Sequence, residues 1–519
     1  HSHALHSVPA VHKRCVQGPA DDNVAAAAAA AAAVNVCCLP CRPAWTLISL
    51  LSVWCLSVAL VRADPLDGTR EQHAAQCKLT ILGGSNGRLQ QASMNCTGTS
   101  KPTLYLNATH LGSFRDLFTG VNVAASCTSE LTMNRSCLIT ICSGSLVLRD
   151  SIVSQMKDMT VRSLVCVARS SRMEVYSSRF ITNLVRPLMI GDQASMVLHA
   201  SNVSYNTIRR VADGGGLWVE GNASVTITDG SRVEGNVVGQ RGGGLAAWDN
   251  ASVTITGNSK VQANAAGGAG GGVYVFGYAR LAVAGGSSIN NNKAAWGGGG
   301  LDAEGNSTVT ITGGSIMQAN TAGVSGGGVY VFGYARLAVA GASSISNNRA
   351  GYGGGLYAVG NSTVTITGGS SVHGNRANHI GGGVAVAEGA QVAIIDSSVH
   401  GNRASRSGGG VFAQNTSKVT IHNSILIGNT AQIAGGGLLA SGNASVLVAN
   451  GSRIHSNQAL DGSGGGLLVS GAVVLTISGG CSIANNSCTE GVGGGISIGM
   501  TAEGLRFASM GRLDGDAAN

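Results

Sequence analysis

The sequence predicts an all-β fold, a parallel β-helix (solenoid) with three strands in each coil. The first observation is a repeat: a Gly-Gly-Gly triplet followed by Leu, Val or Ile occurs eleven times between residues 214 and 498, at intervals of 27–29 residues. A period of this length is typical of solenoid proteins, in which each repeat buries its apolar face against the next one. We therefore expect residues 214–498 to form eleven stacked coils, which we number 1 to 11.

Apolar residues within each repeat alternate in the manner of short strands. In coil 1 these residues are Leu217, Val219, Val225, Ile227 and Val233. Pairs of apolar residues two positions apart indicate strands with one face turned inward. Three such strands separated by turns make one coil. Residues 162–213 keep this pattern without the triplet and are predicted to be divergent entry coils.

An asparagine recurs 18 or 19 residues after the apolar residue that follows each triplet, in coils 1 to 10. These residues are Asn236, Asn264, Asn292, Asn320, Asn348, Asn375, Asn402, Asn429, Asn457 and Asn486. Asparagine tolerates left-handed backbone, and stacked amides can hydrogen-bond from coil to coil. We expect a buried structural ladder, and we expect the glycines to supply positive φ and close backbone approach.

Composition excludes several classes of protein. The chain has 79 glycines in 519 residues but no three-residue glycine period, which excludes collagen. Hydrophobic residues make up 44% of the chain, which is enough to support a core and argues against disorder. The net charge of +8 is spread thinly without a basic block, so nucleic acid is not an expected partner.

The amino-terminal region is predicted to direct export. Residues 1–44 contain a nine-alanine run and are interpreted as a low-complexity or processed segment. Residues 45–63 are predicted to be a signal peptide, because Trp45–Val61 has no charge and the small residue Ala63 precedes Asp64. The alternative is an uncleaved signal anchor, which is the only membrane association expected. We expect the protein to be extracellular or at the cell surface.

The cysteines are consistent with an oxidising compartment. Eight of the 13 cysteines follow the predicted cleavage site, and an even number in an exported chain suggests disulfide bonds. Residues 64–161 are predicted to be a Cys-rich cap over the open end of the solenoid. Cys481 and Cys488 are a candidate disulfide that would close a local loop. Residues 499–519 are predicted to be the end of the helix or a truncated coil.

Twelve Asn-x-Ser/Thr sequons also fit a secretory route. The candidate glycosylation sites are Asn95, Asn107, Asn134, Asn202, Asn222, Asn250, Asn306, Asn361, Asn415, Asn443, Asn450 and Asn485.

Aromatic residues are concentrated at the outward positions of the first predicted strand. We call these residues the aromatic face: Trp218, Trp248, Tyr274, Phe276, Tyr330, Phe332 and Tyr357. A row of exposed rings is a natural platform for sugar rings, and we expect Trp248→Ala or Phe276→Ala to weaken glycan retention without unfolding the protein. The alternative is that the rings stack on each other as a stabilising ladder or pack under a loop.

Candidate catalytic residues are scarce. Asp302 and Glu304 interrupt the aromatic face in coil 4 and are the one carboxylate pair that could act on a bound polysaccharide, but no aligned basic or third acidic partner is evident. No Asp recurs in register as calcium-binding repeats require. His373, His400 and His455 share a predicted outward column with Ile427, which does not favour a metal site. We expect no cofactor and no metal.

The alternation of GGG[LVI] triplets with [FVI]-x-x-N resembles the repeats of the chlamydial polymorphic outer membrane proteins. Phe180-Ile181-Thr182-Asn183 matches the second motif of that family literally, and the resemblance covers about residues 163–498. It implies a right-handed parallel β-helix of the pectate-lyase-like superfamily and a surface adhesin. The membrane barrel that ends those proteins is not expected here, because few residues follow the repeats.

These observations predict a secreted or cell-surface protein without catalytic activity, which serves adhesion, the extracellular matrix or glycan binding. Its expected partner is an extracellular polysaccharide or a cell-surface protein. One alternative is a polysaccharide-active enzyme, a lyase or glycoside hydrolase. The other is a structural component of a cell wall.

Overall fold

The computed structural model describes residues 163–208 and 212–499 continuously. It also describes the strands at 76–83, 89–97, 103–107, 137–141, 145–149, 152–154, 505–508 and 512–513. The predictions for residues 1–44, for the signal peptide at 45–63 and for most of the cap at 64–161 therefore lie outside the described residues. No helix long and apolar enough to cross a membrane occurs in the part of the chain that the structure describes.

Most described residues form a β-solenoid whose parallel strands lie in four sheets, and coils 1 to 10 each contribute one strand to every sheet. The strands of the first sheet are Cys137–Ile141, Ser163–Val167, Arg186–Ile190, Leu217–Val219, Leu245–Ala247, Val273–Val275, Leu301–Ala303, Val329–Gly333, Leu356–Gly360, Val384–Val386, Val411–Ala413, Leu438–Ser441, Leu467–Ser470 and Ile496–Ile498. Those of the second sheet are Thr103–Asn107, Ser145–Arg149, Arg172–Tyr176, Ser195–His199, Ser224–Thr228, Ser252–Ile255, Arg280–Val283, Thr308–Ile311, Arg336–Val339, Thr363–Ile366, Gln391–Ile395, Lys418–His422, Ser445–Ala449, Val474–Ser478 and Leu505–Ala508.

The third sheet consists of Ile152–Ser154, Arg179–Ile181, Asn202–Ser204, Arg232–Glu234, Lys260–Gln262, Ser288–Asn290, Ile316–Gln318, Ser344–Ser346, Ser371–His373, Ser398–His400, Ile425–Ile427, Arg453–His455, Ser482–Ala484 and Arg512–Leu513. The fourth consists of Thr207–Ile208, Val237–Val238, Ala265–Ala266, Lys293–Ala294, Thr321–Ala322, Arg349–Ala350, Arg376–Ala377, Arg403–Ala404, Thr430–Ala431, Gln458–Ala459 and Ser487–Cys488. Gln76–Gly83 and Leu89–Thr97 form a separate antiparallel hairpin.

The first three sheets confirm the predicted strands and their inward residues. In coil 4 Leu301, Val309 and Met317, one from each of the three strands, are almost completely buried. The next coil stacks on them in register, so that Leu301 pairs with Val329 and Val309 with Leu337. Each coil therefore buries its apolar face against its own other strands and against both neighbouring coils.

The fourth sheet was not predicted. Its strands are two residues long and directly follow the ladder asparagine of each coil, as in Thr321–Ala322 after Asn320. The second residue of most of these strands is a buried alanine, such as Ala322 or Ala350. The recurrence of alanine two positions after the asparagine was the sequence signal for this strand, but a two-residue strand has no periodicity of its own.

The predicted asparagine ladder is present and buried. Asn320 Nδ2 donates to Asn348 Oδ1 at 3.0 Å and to the carbonyl of Ile289 at 2.9 Å. The Oδ1 of Asn320 accepts in turn from the backbone N–H and the Nδ2 of Asn292, both at 3.0 Å. Each amide thus satisfies polar groups of the coils on both sides, and these hydrogen bonds offset the cost of removing it from water.

A second ladder, of serines, was not predicted from the sequence. In most coils the turn before the third strand contains a buried Ser, and its Oγ can accept from the backbone N–H of its counterpart in the preceding coil. The backbone N–H of Ser315 donates to Ser343 Oγ at 3.2 Å, and Ser315 Oγ donates to the carbonyl of Thr312 at 2.6 Å. These serines recur 13 or 14 residues after the apolar residue that follows each triplet, which was the sequence signal for the ladder. Serine is also common in turns for local reasons, so its recurrence alone does not indicate burial.

The three glycines of a triplet are required for different reasons. In coil 4 Gly298 has a φ of +57°, which favours glycine. A Cβ on Gly299 would lie 2.5 Å from the carbonyl carbon of Thr321 in the fourth strand. A Cβ on Gly300 would lie 2.8 Å from Asn320 Nδ2. Positive φ and close backbone approach, both predicted, are thus confirmed at neighbouring positions.

The structure corrects the cysteine prediction at the carboxyl-terminal end. Cys481 and Cys488 are both free and buried, so the candidate disulfide between them is wrong. Cys481 occupies the place of the ladder serine and its Sγ donates to the carbonyl of Ser478, whereas Cys488 lies in the fourth strand and donates to the carbonyl of Gly491. The third-sheet strand Ser482–Ala484 lies between the two cysteines in the chain. Each thiol therefore donates to a carbonyl close to it in sequence and not to the other cysteine.

Coil strands also occur inside the segment predicted to be a cap. Cys137–Ile141 pairs with Ser163–Val167 in the first sheet, and Ser145–Arg149 pairs with Arg172–Tyr176 in the second. A disulfide joins Cys137 to Cys166 between these neighbouring strands. The solenoid therefore begins earlier in the chain than the sequence pattern predicts, because these coils lack both the triplet and the ladder asparagine.

Candidate functional site

The outward side of the first sheet is the candidate site, and its rings are less exposed than predicted. Tyr274 is fully buried at 0% exposure, which corrects its assignment as an exposed platform ring. Phe332 is 43% exposed. The other rings of the aromatic face are half-buried: Trp218, Trp248, Phe276, Tyr330 and Tyr357.

Stacking with neighbouring rings and with arginines explains this burial in coils 1 to 3. The rings of Trp218 and Trp248 stack with centroids 5.5 Å apart, and Trp248 lies 5.5 Å from Tyr274. The Arg186 guanidinium lies 4.8 Å from the Trp218 ring, and that of Arg241 lies 5.1 Å from the Tyr274 ring. Rings packed between other rings and cations stabilise the rod, as the alternative interpretation predicted.

The rings of coils 5 and 6 form a second group. Tyr330 lies 6.2 Å from Phe332 and 5.8 Å from Tyr357. Tyr357 also lies 6.4 Å from Tyr352, which is in the turn before the coil 6 triplet, and Tyr352 lies 5.0 Å from His379. The second group therefore extends from the first strand onto the adjoining turns.

Asp302 and Glu304 lie between the two ring groups. The pairing register places Asp302 beside Tyr274 of coil 3 and Tyr330 of coil 5. Asp302 is only 1% exposed, which differs from its predicted position on the surface. The backbone of Gly297 covers it, since a Cβ on Gly297 would lie 3.0 Å from Asp302 Oδ2. Neither carboxyl oxygen of Asp302 accepts a hydrogen bond from a donor among the described residues, and only a protonated Asp302 could share a hydrogen bond with the carboxyl group of Glu304.

The two carboxyl groups differ in their surroundings. Glu304 is half-buried, and its Oε2 accepts a hydrogen bond of 2.9 Å from the Tyr274 hydroxyl. Burial raises the pKa of Asp302 well above its usual range, and the negative charge of Glu304 raises it further. Burial also raises the pKa values of Tyr274 and Tyr330, so both phenols remain neutral. We infer that Asp302 keeps its proton to a higher pH than an ordinary aspartate does, because its carboxyl group is buried beside Glu304.

Asp302→Asn is expected to stabilise the protein at neutral and alkaline pH. The pKa of Asp302 is raised in the folded state above its ordinary value of 3.8. Between these two pKa values the folded state binds more protons than the unfolded state, so stability falls as pH rises. An asparagine cannot ionise and removes this loss, which amounts to about 1.4 kcal/mol for each unit of pKa difference.

The measurement is the melting temperature of wild type and variant across the pH range. The two should coincide below a pH of about 4, where the carboxyl is protonated in both states, and diverge above it. Asp249→Asn, at an exposed turn, is the control for losing a surface carboxylate. Melting temperatures of Asp302→Asn that follow the wild type at every pH would contradict the assignment.

The most exposed rings near this pair were not predicted from the sequence, apart from Phe332. We call the following five residues the exposed rings: Trp296 (66% exposed), Tyr278 (63%), Tyr334 (62%), Phe332 (43%) and Tyr352 (37%). Trp296 and Tyr352 lie in turns before a triplet, and Tyr278 and Tyr334 lie in turns after the first strand. Each of these four residues is adjacent to a glycine, which was the available sequence signal that it lies in a turn. The alternation that shows whether a strand residue points inward or outward does not extend to turns, so their exposure could not be predicted.

The sequons of the coils are accessible. The side chains of Asn222, Asn250, Asn306, Asn361, Asn415, Asn443, Asn450 and Asn485 are exposed, and that of Asn202 is half-buried. The side chains of Asn95, Asn107 and Asn134 lie outside the described residues. Within the portion of the chain that the structure describes, no group of three or more His, Cys, Asp or Glu side chains could hold a metal ion.

The comparisons with known proteins identify the fold family. The model of the right-handed β-helix region matches residues 107–260, 258–405 and 340–509. These matches overlap and together cover more than half of the 519 residues. Searches against curated proteins and against solved structures found no match. With these matches, and with coils that stack in register over the described residues from 163 onward, the chain belongs to the right-handed β-helix family.

Proposed function

We propose that this protein is an extracellular or cell-surface rod that binds an extended polysaccharide without cleaving it. The observation that supports this most directly is the set of exposed rings, which lie on both sides of the first strand over coils 3 to 6. At about 4.8 Å per coil they extend over roughly 15 Å along the rod, which suits several sugar units. Exposed aromatic rings at this density mark a contact surface.

The polar groups beside the rings suit sugar hydroxyls. Glu304 is half-buried and lies between the two ring groups, so its carboxylate can accept hydrogen bonds from a bound sugar while its other contact, the Tyr274 hydroxyl, holds it in place. Sites for sugars combine such fixed polar groups with apolar ring surface. Asp302 differs, because the cover of Gly297 keeps its carboxyl away from any ligand on the surface. This burial favours binding over catalysis.

Replacing Trp296 and Tyr334 by Ala together is expected to weaken polysaccharide binding strongly. Each stacked ring contributes about 1.4 kcal/mol, a roughly tenfold change in affinity, so the double variant should bind about a hundredfold more weakly. The measurement is the bound fraction of deglycosylated protein on a panel of neutral and acidic polysaccharides, with melting temperature to verify folding.

The matched control is Tyr205→Ala, which removes a ring that is 57% exposed but lies in the turn after the third strand. It should bind like the wild type. Equal binding by the wild type, the double variant and the control would refute the proposal for this surface.

Cleavage of the bound polysaccharide is the second candidate function, and one observation favours it. Acid–base cleavage of glycosides uses two carboxyl groups in different surroundings, and here the buried Asp302, with its raised pKa, lies two residues from the half-buried Glu304. Catalysis would need Asp302 to become uncovered. New reducing ends or unsaturated products that disappear in Asp302→Asn and Glu304→Gln would establish the enzyme in place of the non-catalytic rod.

Export and adhesion remain parts of the proposal. The uncharged segment Trp45–Val61 and the sequons support a secretory route, and the triplet and asparagine pattern shared with chlamydial polymorphic outer membrane proteins supports an adhesive role. A cell-surface protein as the partner, or a purely structural place in a wall, would be indicated if no polysaccharide of the panel is retained.

A further inference from the structure

Three arginines form a column on the outward side of the fourth sheet. Arg349, Arg376 and Arg403 are the first residues of fourth strands in coils 5, 6 and 7, and the pairing register places each beside the next. All three side chains are exposed. In the chain they are 27 residues apart, so only the stacking of coils brings them together. We call these three residues the arginine column.

No carboxylate neutralises the arginine column in the part of the chain that the structure describes. The residues at the same position in the coils on either side are Thr321 and Thr430, which are uncharged. The polar contact at the column is that of Arg349 Nη2 with Asn378 Oδ1, at 3.4 Å. Like charges directly opposite each other on neighbouring strands are destabilising, so an anion along the column would relieve this repulsion.

Two histidines lie near the arginine column but add no charge to it at neutral pH. His373 and His400 lie on the third sheet, three residues before Arg376 and Arg403, and their rings stack with centroids 4.8 Å apart. Burial lowers the pKa of both imidazoles, so they are neutral at pH 7. Arg406, exposed in the turn after the fourth strand of coil 7, adds a further fixed cation.

We propose that the arginine column binds the sulfate groups of a linear sulfated polysaccharide. A straight row of permanent charges about 4.8 Å apart fits a linear polymer with anionic groups on successive units better than a single small anion. The guanidinium fork can donate two hydrogen bonds to two oxygens of one sulfate. Guanidinium is also weakly hydrated, and it pairs more readily with a weakly hydrated sulfate ester than with a strongly hydrated carboxylate.

This surface shares no residue with the one in the proposed function. The two adjoin at the turn where Tyr352 follows the strand Arg349–Ala350, but the arginine column and the exposed rings can be replaced separately. The two proposals can therefore fail independently. Binding of a sulfated polymer through the column would persist in the Trp296 and Tyr334 double variant.

The test uses the full-length protein and a size-defined heparin-type decasaccharide. Affinity is measured at several salt concentrations for wild type and for the triple variant Arg349→Gln, Arg376→Gln, Arg403→Gln. We expect the triple variant to bind at least roughly tenfold more weakly. The slope of log affinity against log salt should become less steep by about 0.7 to 0.9 per arginine if the polymer resembles a nucleic acid in charge density.

A scattered triple variant, Arg232→Gln, Arg280→Gln, Arg336→Gln, is the matched control, because it loses the same charge from exposed positions outside the column. It should keep the affinity of the wild type within about threefold. An equal loss in both triple variants would overturn the proposal in favour of a net-charge effect. If the column variant does not fold, Arg376→Gln alone should still make the slope of log affinity against log salt less steep by about 0.7 to 0.9.

Competing polymers test the assignment of sulfate. A polygalacturonate decamer, a 20-nucleotide oligothymidylate and vesicles that contain phosphatidylserine should each bind more weakly than the sulfated decasaccharide. Tighter binding of any of these through the same arginines would overturn the sulfate assignment and identify that polymer or membrane as the occupant. Absence of binding to all four would overturn the proposal altogether.

Discussion

Gly299→Ala is expected to destabilise the rod by at least about 3 kcal/mol and to expose coils 4 and 5 to proteolysis. Gly299 does not have positive φ, so its conformation is open to alanine. The obstacle is space: a new Cβ would lie 2.5 Å from the carbonyl carbon of Thr321, a backbone atom that cannot turn aside. The fourth strand would be pushed off the triplet, and its hydrogen bonds to the neighbouring coils would be lost.

Gly314→Ala is the matched control for this prediction. Gly314 has a φ of +69°, and no heavy atom lies within 4 Å of the place that a Cβ would take, so alanine there incurs conformational strain without a clash. The expected cost is about 1–2 kcal/mol. Thermal unfolding and limited proteolysis of both variants provide the comparison. Destabilisation of Gly299→Ala no larger than that of Gly314→Ala would contradict the explanation by close approach at position 299.

Asn320→Ala is expected to destabilise the rod by about 3–5 kcal/mol, with a loss of hydrogen-exchange protection centred on coils 3 to 5. The substitution removes the donor to the carbonyl of Ile289 and to Asn348 Oδ1. It also leaves the backbone N–H and the Nδ2 of Asn292 without their acceptor. These groups are buried, so water cannot replace the lost partners at low cost.

Asn306→Ala, in the same coil, is the control because the Asn306 side chain is exposed. Its effect should stay within about 0.5 kcal/mol. Hydrogen exchange followed residue by residue, together with the melting temperature, measures both variants in protein produced without glycans. Similar protection in Asn320→Ala and wild type would mean that the ladder amides are replaceable and that inter-coil backbone bonds suffice.

The regular part of the fold was predictable because it repeats. Apolar residues such as Leu301 and Val309 recur at constant offsets, and a constant offset in a stacked repeat means a constant direction relative to the core. The ladder asparagines were predictable for the same reason. The fourth strand was not, because a strand like Thr321–Ala322 is too short for alternation to be visible.

The candidate site was harder to predict because exposure depends on neighbouring coils. Coils 3 and 5 contain nearly the same sequence, and Tyr274 and Phe276 are arranged like Tyr330 and Phe332, with centroids 6.3 and 6.2 Å apart. Yet Tyr274 is fully buried and Tyr330 is only half-buried. In the coil before Tyr274, Trp248 packs against the tyrosine ring. In the coil before Tyr330, the residue that pairs with the tyrosine is Asp302.

By itself, the sequence determined that the chain forms a stacked parallel β-helix, which residues point inward and where the amide ladder runs, since these depend on spacing within one repeat. Tertiary structure alone decided which rings are exposed, that Asp302 is covered by Gly297, and that Arg349, Arg376 and Arg403 stand in one column. The physical reason is that burial and charge density at each position are set by residues one coil away, about 27 positions along the chain but only about 4.8 Å distant in space.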